Sequence, residues 1–323
     1  MGHLFILDFD GTIADTFTPS PNDIGVESSY FLAVADVLGE EGSKIYNEGG
    51  GLRNRAPQEV VYEILQNATS TQRKNLLDCA RSFLLAHGDE LHDLVPEGKG
   101  LSLEWREDDP VSIVSELVVR CKLGYSYGEI GGKWPLPTEG FIDFRRSLTQ
   151  LNNDGVAVDL AIVSSGHDLF IDRVFKTWGL EAPSILITDD TLRGKKYPKE
   201  VERRVKPSAF PLALAHFEWL KERGLWVRAM EGLSDLARRT RPNIAFIGDD
   251  PHKDGDMAER ARITFGLFKK GDAFQPDLAP SRFKFGDWSE FGKMLQSRKG
   301  LLEQGKEFNE ILLGHPRRSP ERV

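Results

Sequence analysis

Three short apolar runs in this chain each end in side chains suited to acid–base, metal or phosphate chemistry. Residues 4–7 (Leu-Phe-Ile-Leu) run into Asp8-Phe9-Asp10-Gly11-Thr12. Residues 156–163 run into Ser164-Ser165-Gly166-His167. Residues 244–247 run into Gly248-Asp249-Asp250, with Asp254 shortly after. A short hydrophobic run that stops at such residues reads as a buried strand with an abrupt end. In open α/β sheets the carboxyl end of the strands is where ligands bind. Of the first pair, one carboxylate could attack or hold a metal while the other handles protons. Gly11 lets the chain turn away sharply after them.

If the three strand ends converge, their carboxylates repel one another unless a cation sits among them. Ligands that are all oxygen, with no His or Cys partner, suit Mg²⁺, which keeps several waters and engages a phosphate as well. A phosphoryl group also needs donors and positive charge on its oxygens. Ser164 offers a hydroxyl near backbone N–H groups, and Lys206, directly before Pro207, offers a cation. With that support Asp8 could take up the phosphoryl group as an aspartyl-phosphate.

The elements that must position these residues fall into two kinds. Between residues 23 and 123 the apolar positions recur at helical spacing: Leu76, Ala80, Phe83 and Leu84, then Ile113, Leu117 and Cys121. Pro57 marks a helix start, with Val60, Val61, Ile64 and Leu65 as its apolar face. Turn-rich segments flank this block, Thr18-Pro19-Ser20-Pro21-Asn22 before it and residues 131–137 after it. From Phe141 onward, helices alternate with short strands: the 156–163 run, Ile185-Leu186-Ile187, the 244–247 run and an edge strand at Ile263-Thr264-Phe265. That alternation predicts a mainly parallel sheet built from βαβ units. The fold class expected is therefore α/β, a Rossmann-like parallel sheet with helices on both faces, interrupted by an inserted α-helical domain. The expected boundaries are residues 1–16 and 138–300 for the α/β core, 17–137 for the helical insertion, and 301–323 for a last helix end and tail.

The four ordered motifs resemble those of the haloacid dehalogenase superfamily of hydrolases. They are Asp8-Phe9-Asp10-Gly11-Thr12, the hydrophobic run into Ser164, Lys206-Pro207, and Gly248-Asp249 through Asp254. The resemblance covers roughly residues 3–15 and 140–270, and by position the insertion resembles that family's helical cap. It implies Asp8 as nucleophile and Asp10 as general acid, then as base for water. It implies that Ser164 and Lys206 bind the phosphoryl group. It implies Mg²⁺ on the Asp8 side chain, the Asp10 carbonyl and an acidic residue of the last motif. Dehalogenases of the superfamily lack the second Asp, which a leaving alkoxide requires as its acid. The expected activity is a Mg²⁺-dependent phosphatase for a small phosphorylated metabolite. A phosphomutase of the same superfamily is the alternative, and a non-catalytic phospholigand-binding protein a more distant one.

Several assignments compete. Ser165 rivals Ser164, and Lys195, Lys196 and Lys199 rival Lys206. Asp249 and Asp254 are preferred at the metal, with Asp250 as substitute, because Asp also caps helix starts well. Thr12 and His167 lie close enough in sequence to join the site. Arg53, after Gly49-Gly50-Gly51, could hold a substrate carboxylate or second phosphate, or belong to a plain inter-helix loop. The basic stretch over residues 193–206 reads as a solvated face. A net charge of −8 argues against a general nucleic-acid binder. Cys79 and Cys121 read as reduced core thiols. No run approaches the roughly 20 apolar residues of a membrane helix, and no signal-peptide pattern opens the chain. A soluble, cytoplasmic protein without membrane partners is expected.

Overall fold

The computed structural model describes residues 2–16, 26–49, 57–92, 103–126, 134–188, 191–192, 205–225, 233–276 and 282–314, with side chains omitted at 26–29, 233 and 234. The chain divides into two compact units, Met1–Asp15 with Leu136–Val323, and Thr16–Pro135.

The second unit is helical throughout its described residues. It holds α1 (Val26–Glu48, bent at Gly39), α2 (Pro57–Asn67), α3 (Ser70–His92) and α4 (Pro110–Ser126). One apolar stripe from each helix meets in a common core: Val34 and Val37, Val60 and Ile64, Leu76 and Ala80, Ile113 and Leu117. This is the burial that period-3.6 patterns direct. Cys121 belongs to this core, and burial pushes its thiol up to about 12. Cys79 does not: it is exposed, because Leu76 and Ala80 take the buried stripe of α3 and Cys79 falls beside it.

The first unit is built on a seven-stranded sheet in the order β5-β4-β1-β6-β7-β9-β8. Its strands are β1 (His3–Leu7), β4 (Val158–Val163), β5 (Ile185–Ile187), β6 (Ile244–Gly248), β7 (Thr264–Phe268), β8 (Gln275–Pro276) and β9 (Arg282–Phe285). All neighbours are parallel except β8 and β9. A two-stranded antiparallel sheet joins β2 (Ala14–Asp15) to β3 (Leu136–Pro137). Two sequence expectations change here. The strand near Ile263 is not an edge, because β9 and β8 continue the sheet beyond it. The segment read as a second linker ends in a strand, Leu136–Pro137.

Every residue of β1 is buried, as expected for a central strand covered on both faces. Leu4 and Ile6 face a core with Ala161, Phe246 and Trp219. Phe5 faces the other way, against Phe144 of α5 (Phe141–Asn153), Phe291 and Phe308. Residues 301–314 are therefore more than a tail: Phe308, Ile311 and Leu312 are buried, and Phe308 packs on Phe5 at 4.6 Å. Residues 315–323 lie outside the described residues. No helix among the described residues is long and apolar enough to cross a membrane.

One buried titratable group lies well away from the strand ends. His216, on the helix Phe210–Glu222, shares a 2.7 Å hydrogen bond with Thr240 Oγ1, whose own proton goes to the Leu236 carbonyl. Burial, then the nearby Arg241 charge, holds the imidazole down at about 4. The unfolded chain therefore binds a proton at His216 that the folded one refuses, so this contribution is present above the unfolded value of 6.5 and is lost as pH falls. Between about pH 7.5 and about pH 4.5 the expected loss is roughly 2–3 kcal/mol. Denaturant unfolding of wild type and His216→Phe should show it as a steeper acid decline in wild type. Parallel curves would refute it.

Candidate active site

Strand register brings the chemistry-bearing ends together. Leu7 pairs with Ile162 on one side and Ile247 on the other, and the Asp8 N–H continues the ladder to the Ile247 carbonyl at 2.8 Å. The Ser164 N–H likewise reaches the Ile187 carbonyl at 3.0 Å. The sheet is wound outward in both directions from β1, and such a switch point opens a crevice at the strands' carboxyl ends.

Asp8, Asp249 and Asp254 each present a carboxylate oxygen, all within 4.8 Å of one another. Lys206 is inserted among them, its Nζ donating to Asp8 Oδ1 at 2.5 Å and to Asp254 Oδ1 at 2.8 Å. The ammonium also lies 5.3 Å from the Phe246 ring centroid. Asp254 comes from the first turn of the helix Lys253–Ala261 and is 1% exposed. Its side chain folds back over Gly248, where a Cβ would lie 2.3 Å from Asp254 Oδ2. Only glycine leaves room for that approach.

Three carboxylates against one ammonium leave the cluster short of positive charge. Burial is the main cause that raises Asp8, to about 8, opposed by Lys206 and reinforced by Asp254 and Asp249. Burial and Asp254 raise Asp249 to about 6. Lys206 is displaced upward by Asp254 and Asp8, which outweigh its own desolvation. A compact, all-oxygen, electron-rich cluster of this kind suits a hard divalent cation such as Mg²⁺.

Asp10 stands apart from that cluster. An unbroken strand would carry Asp8 and Asp10 on one face, but β1 stops at Leu7 and the chain turns. Gly11, at φ 73°, donates its N–H to the Ala14 carbonyl at 2.9 Å, and the Ala14 N–H returns to Phe9 at 3.0 Å. A Cβ on Gly166 would sit 3.5 Å from Asp10 Oδ2 and 3.2 Å from Ser164 Oγ, so these two groups flank the same small space. The Gly166 N–H donates to Ser164 Oγ at 2.9 Å, which leaves the hydroxyl proton available to a ligand oxygen.

The remaining candidates separate clearly. Asp250 accepts from the N–H groups of His252 at 2.8 Å and Lys253 at 2.9 Å, so it caps the helix start and lies outside the acidic cluster. Ser165 is exposed, whereas Ser164 is buried. His167 is the N-cap residue of α6 (Asp168–Thr177) without a side-chain cap bond. Thr12 joins the site through Asp249, its hydroxyl donating to Oδ1 at 3.2 Å. Arg53, Lys195, Lys196 and Lys199 lie outside the described residues. The motif reading passed over Trp288 and Thr138, whose side chains both donate to the Thr12 carbonyl. The local signal at Trp288 is a helix start after Asp287; nothing in the sequence ties it to Thr12.

No family model matches this chain, and no curated protein matches it. The solved structures that match it over most of its length include hydrolases and phosphatases of the haloacid dehalogenase superfamily. One from Geobacter sulfurreducens is 19% identical, with 91% of this chain and 96% of that one covered and a TM-score of 0.37. A 2-haloacid dehalogenase from Pseudomonas syringae is 15% identical, with 92% and 99% covered and a TM-score of 0.45. A phosphatase from Thermococcus onnurineus is 16% identical, with 91% and 98% covered and a TM-score of 0.42. Those names span two reactions.

Proposed function

We propose that this chain is a phosphatase of the haloacid dehalogenase type, hydrolysing a small phosphate monoester through an aspartyl-phosphate. The reading is carried by one observation: Asp8 directly follows the central strand, in contact with Lys206 and beside Asp249 and Asp254, while Asp10 lies apart, near Ser164.

An Asp8 carboxylate oxygen forms a bond to phosphorus as the ester oxygen leaves. Asp10, as the acid, gives its proton to that departing alkoxide. The Ser164 hydroxyl and the Lys206 ammonium hold phosphoryl oxygens and offset their charge. Water then attacks the phosphorus of the acyl phosphate with Asp10 as base, which frees inorganic phosphate and restores Asp8. Asp8, Asp249 and Asp254 would hold Mg²⁺, with the Asp10 carbonyl that the family resemblance adds; the ion supplies positive charge against which an anionic nucleophile and an anionic phosphate can meet. The dehalogenase reading lacks a use for Asp10, since a halide leaves without a proton. None of these groups distinguishes one alcohol from another.

The test is phosphate release from a panel of phosphorylated metabolites with Mg²⁺ present. Chelation is expected to lower the rate at least about a hundredfold and added Mg²⁺ to restore it. Turnover that survives exhaustive chelation would remove the metal from the proposal. Isomer formation without release would convert the reading to a mutase. An inert protein across the panel would leave only phospholigand binding.

A further inference from the structure

Thr12 is the centre of a buried relay that ends on the acidic cluster. The residue is fully buried, and its hydroxyl donates to Asp249 Oδ1 at 3.2 Å. Its carbonyl receives two donors, Thr138 Oγ1 at 2.7 Å and Trp288 Nε1 at 3.0 Å. Trp288 opens the helix Trp288–Ser297, whose N-cap Asp287 accepts from the Ser289 and Glu290 N–H groups. The Trp288 backbone N–H donates to the Glu139 carbonyl at 3.1 Å. Its ring is fully buried, 4.7 Å from Phe144 and 4.9 Å from Phe285 between centroids. Packing therefore fixes where the indole N–H points.

A carboxylate that binds a cation works best when its own partners fix its orientation. Asp249 takes such a partner from Thr12, and Thr12 is held by its carbonyl. We infer that Trp288 is a positioning residue for the acidic cluster: its indole N–H, acting through the Thr12 carbonyl, sets the Asp249 carboxylate in the orientation that meets Asp8 and Asp254. The inference rests on reading that cluster as a divalent-cation site.

The experiment is a Mg²⁺ titration of the intact protein followed by thermal shift. Trp288→Phe keeps an aromatic ring and removes the donor. It is expected to raise the half-saturating Mg²⁺ concentration about three- to tenfold, and Thr12→Val about tenfold or more. In the Thr12→Val background, Trp288→Phe should add nothing, because the relay is already cut. An unchanged Mg²⁺ response in folded Trp288→Phe, or an equal loss in both backgrounds, overturns the assignment. If Trp288→Phe does not fold, Thr138→Val probes the same carbonyl: a weaker Mg²⁺ response supports the relay, and an unchanged one overturns it. Wild type with neither a Mg²⁺ shift nor Mg²⁺-dependent phosphate release overturns the cation reading and this assignment together. A wild-type response unaltered by the variants overturns the assignment alone.

Discussion

Asp8→Asn is expected to lower phosphate release by on the order of 10⁴-fold while leaving the protein folded. The amide is nearly the shape of the carboxyl but is no nucleophile toward phosphorus. Stability should hold for a reason specific to this cluster. Asp8 is a buried acid raised to about 8, and it repels Asp249 and Asp254. Removing its charge removes the burial cost that chiefly raises it, which exceeds the attraction to Lys206 lost with it, and Lys206 keeps Asp254 at 2.8 Å. The asparagine carbonyl oxygen can still accept from the ammonium. Unfolding should therefore occur at a temperature equal to or above that of wild type. Acid quench of the wild-type enzyme during turnover should trap a phosphoryl group on Asp8. Asp8→Asn protein, verified free of wild type, that still turns over at the full rate would end the nucleophile assignment.

The strand ends that carry this chemistry were legible because each follows a mostly apolar run, interrupted only by Asp159 in the second. A central parallel strand is buried on both faces and reads as continuous hydrophobicity, as β1 and β6 do. The outer strands gave weaker signals. β9 is four residues in which Arg282 and Lys284 alternate with Phe283 and Phe285, and β8 is two exposed residues. Strand order, and so the reversal of β7 from edge to interior, depends on pairings that local pattern does not encode. Sequence spacing prefers Asp254 with Asp250 as substitute, without showing where either carboxylate goes. What separates them is helix geometry: one lies at the helix start and turns to its N–H groups, and the other lies a turn later, folded over Gly248. The Trp288 contact to Thr12 spans 276 residues and has no local signature at all.

Lys206→Met is expected to lower stability strongly. Methionine matches the length and apolar stem of lysine, so packing against Phe246 can persist while the charge is lost. Asp8 and Asp254 would then remain buried with their shared cation gone, a situation that costs about 3–5 kcal/mol. That is a large fraction of a typical domain's total stability. The pH dependence has a definite sign. Lys206 is one of the groups that hold Asp8 down against burial, so its removal drives the Asp8 carboxyl further above its already raised value of about 8. A carboxyl with a folded value above its unfolded 3.8 binds more protons folded than unfolded, so its contribution falls as pH rises through that window. Protonation replaces the missing cation at low pH. Below about pH 7 Asp8 is protonated with or without the ammonium, so the deficit of Lys206→Met relative to wild type should be level there and grow as pH rises through about 8 toward about pH 9. Millimolar Mg²⁺ should recover part of the deficit at neutral pH, because the cluster without its ammonium binds the cation more tightly than the wild-type cluster does. Urea unfolding across this range measures both effects. A deficit independent of pH would mean that Lys206 stabilises the fold by packing alone, and that the carboxylates around it do not share its charge.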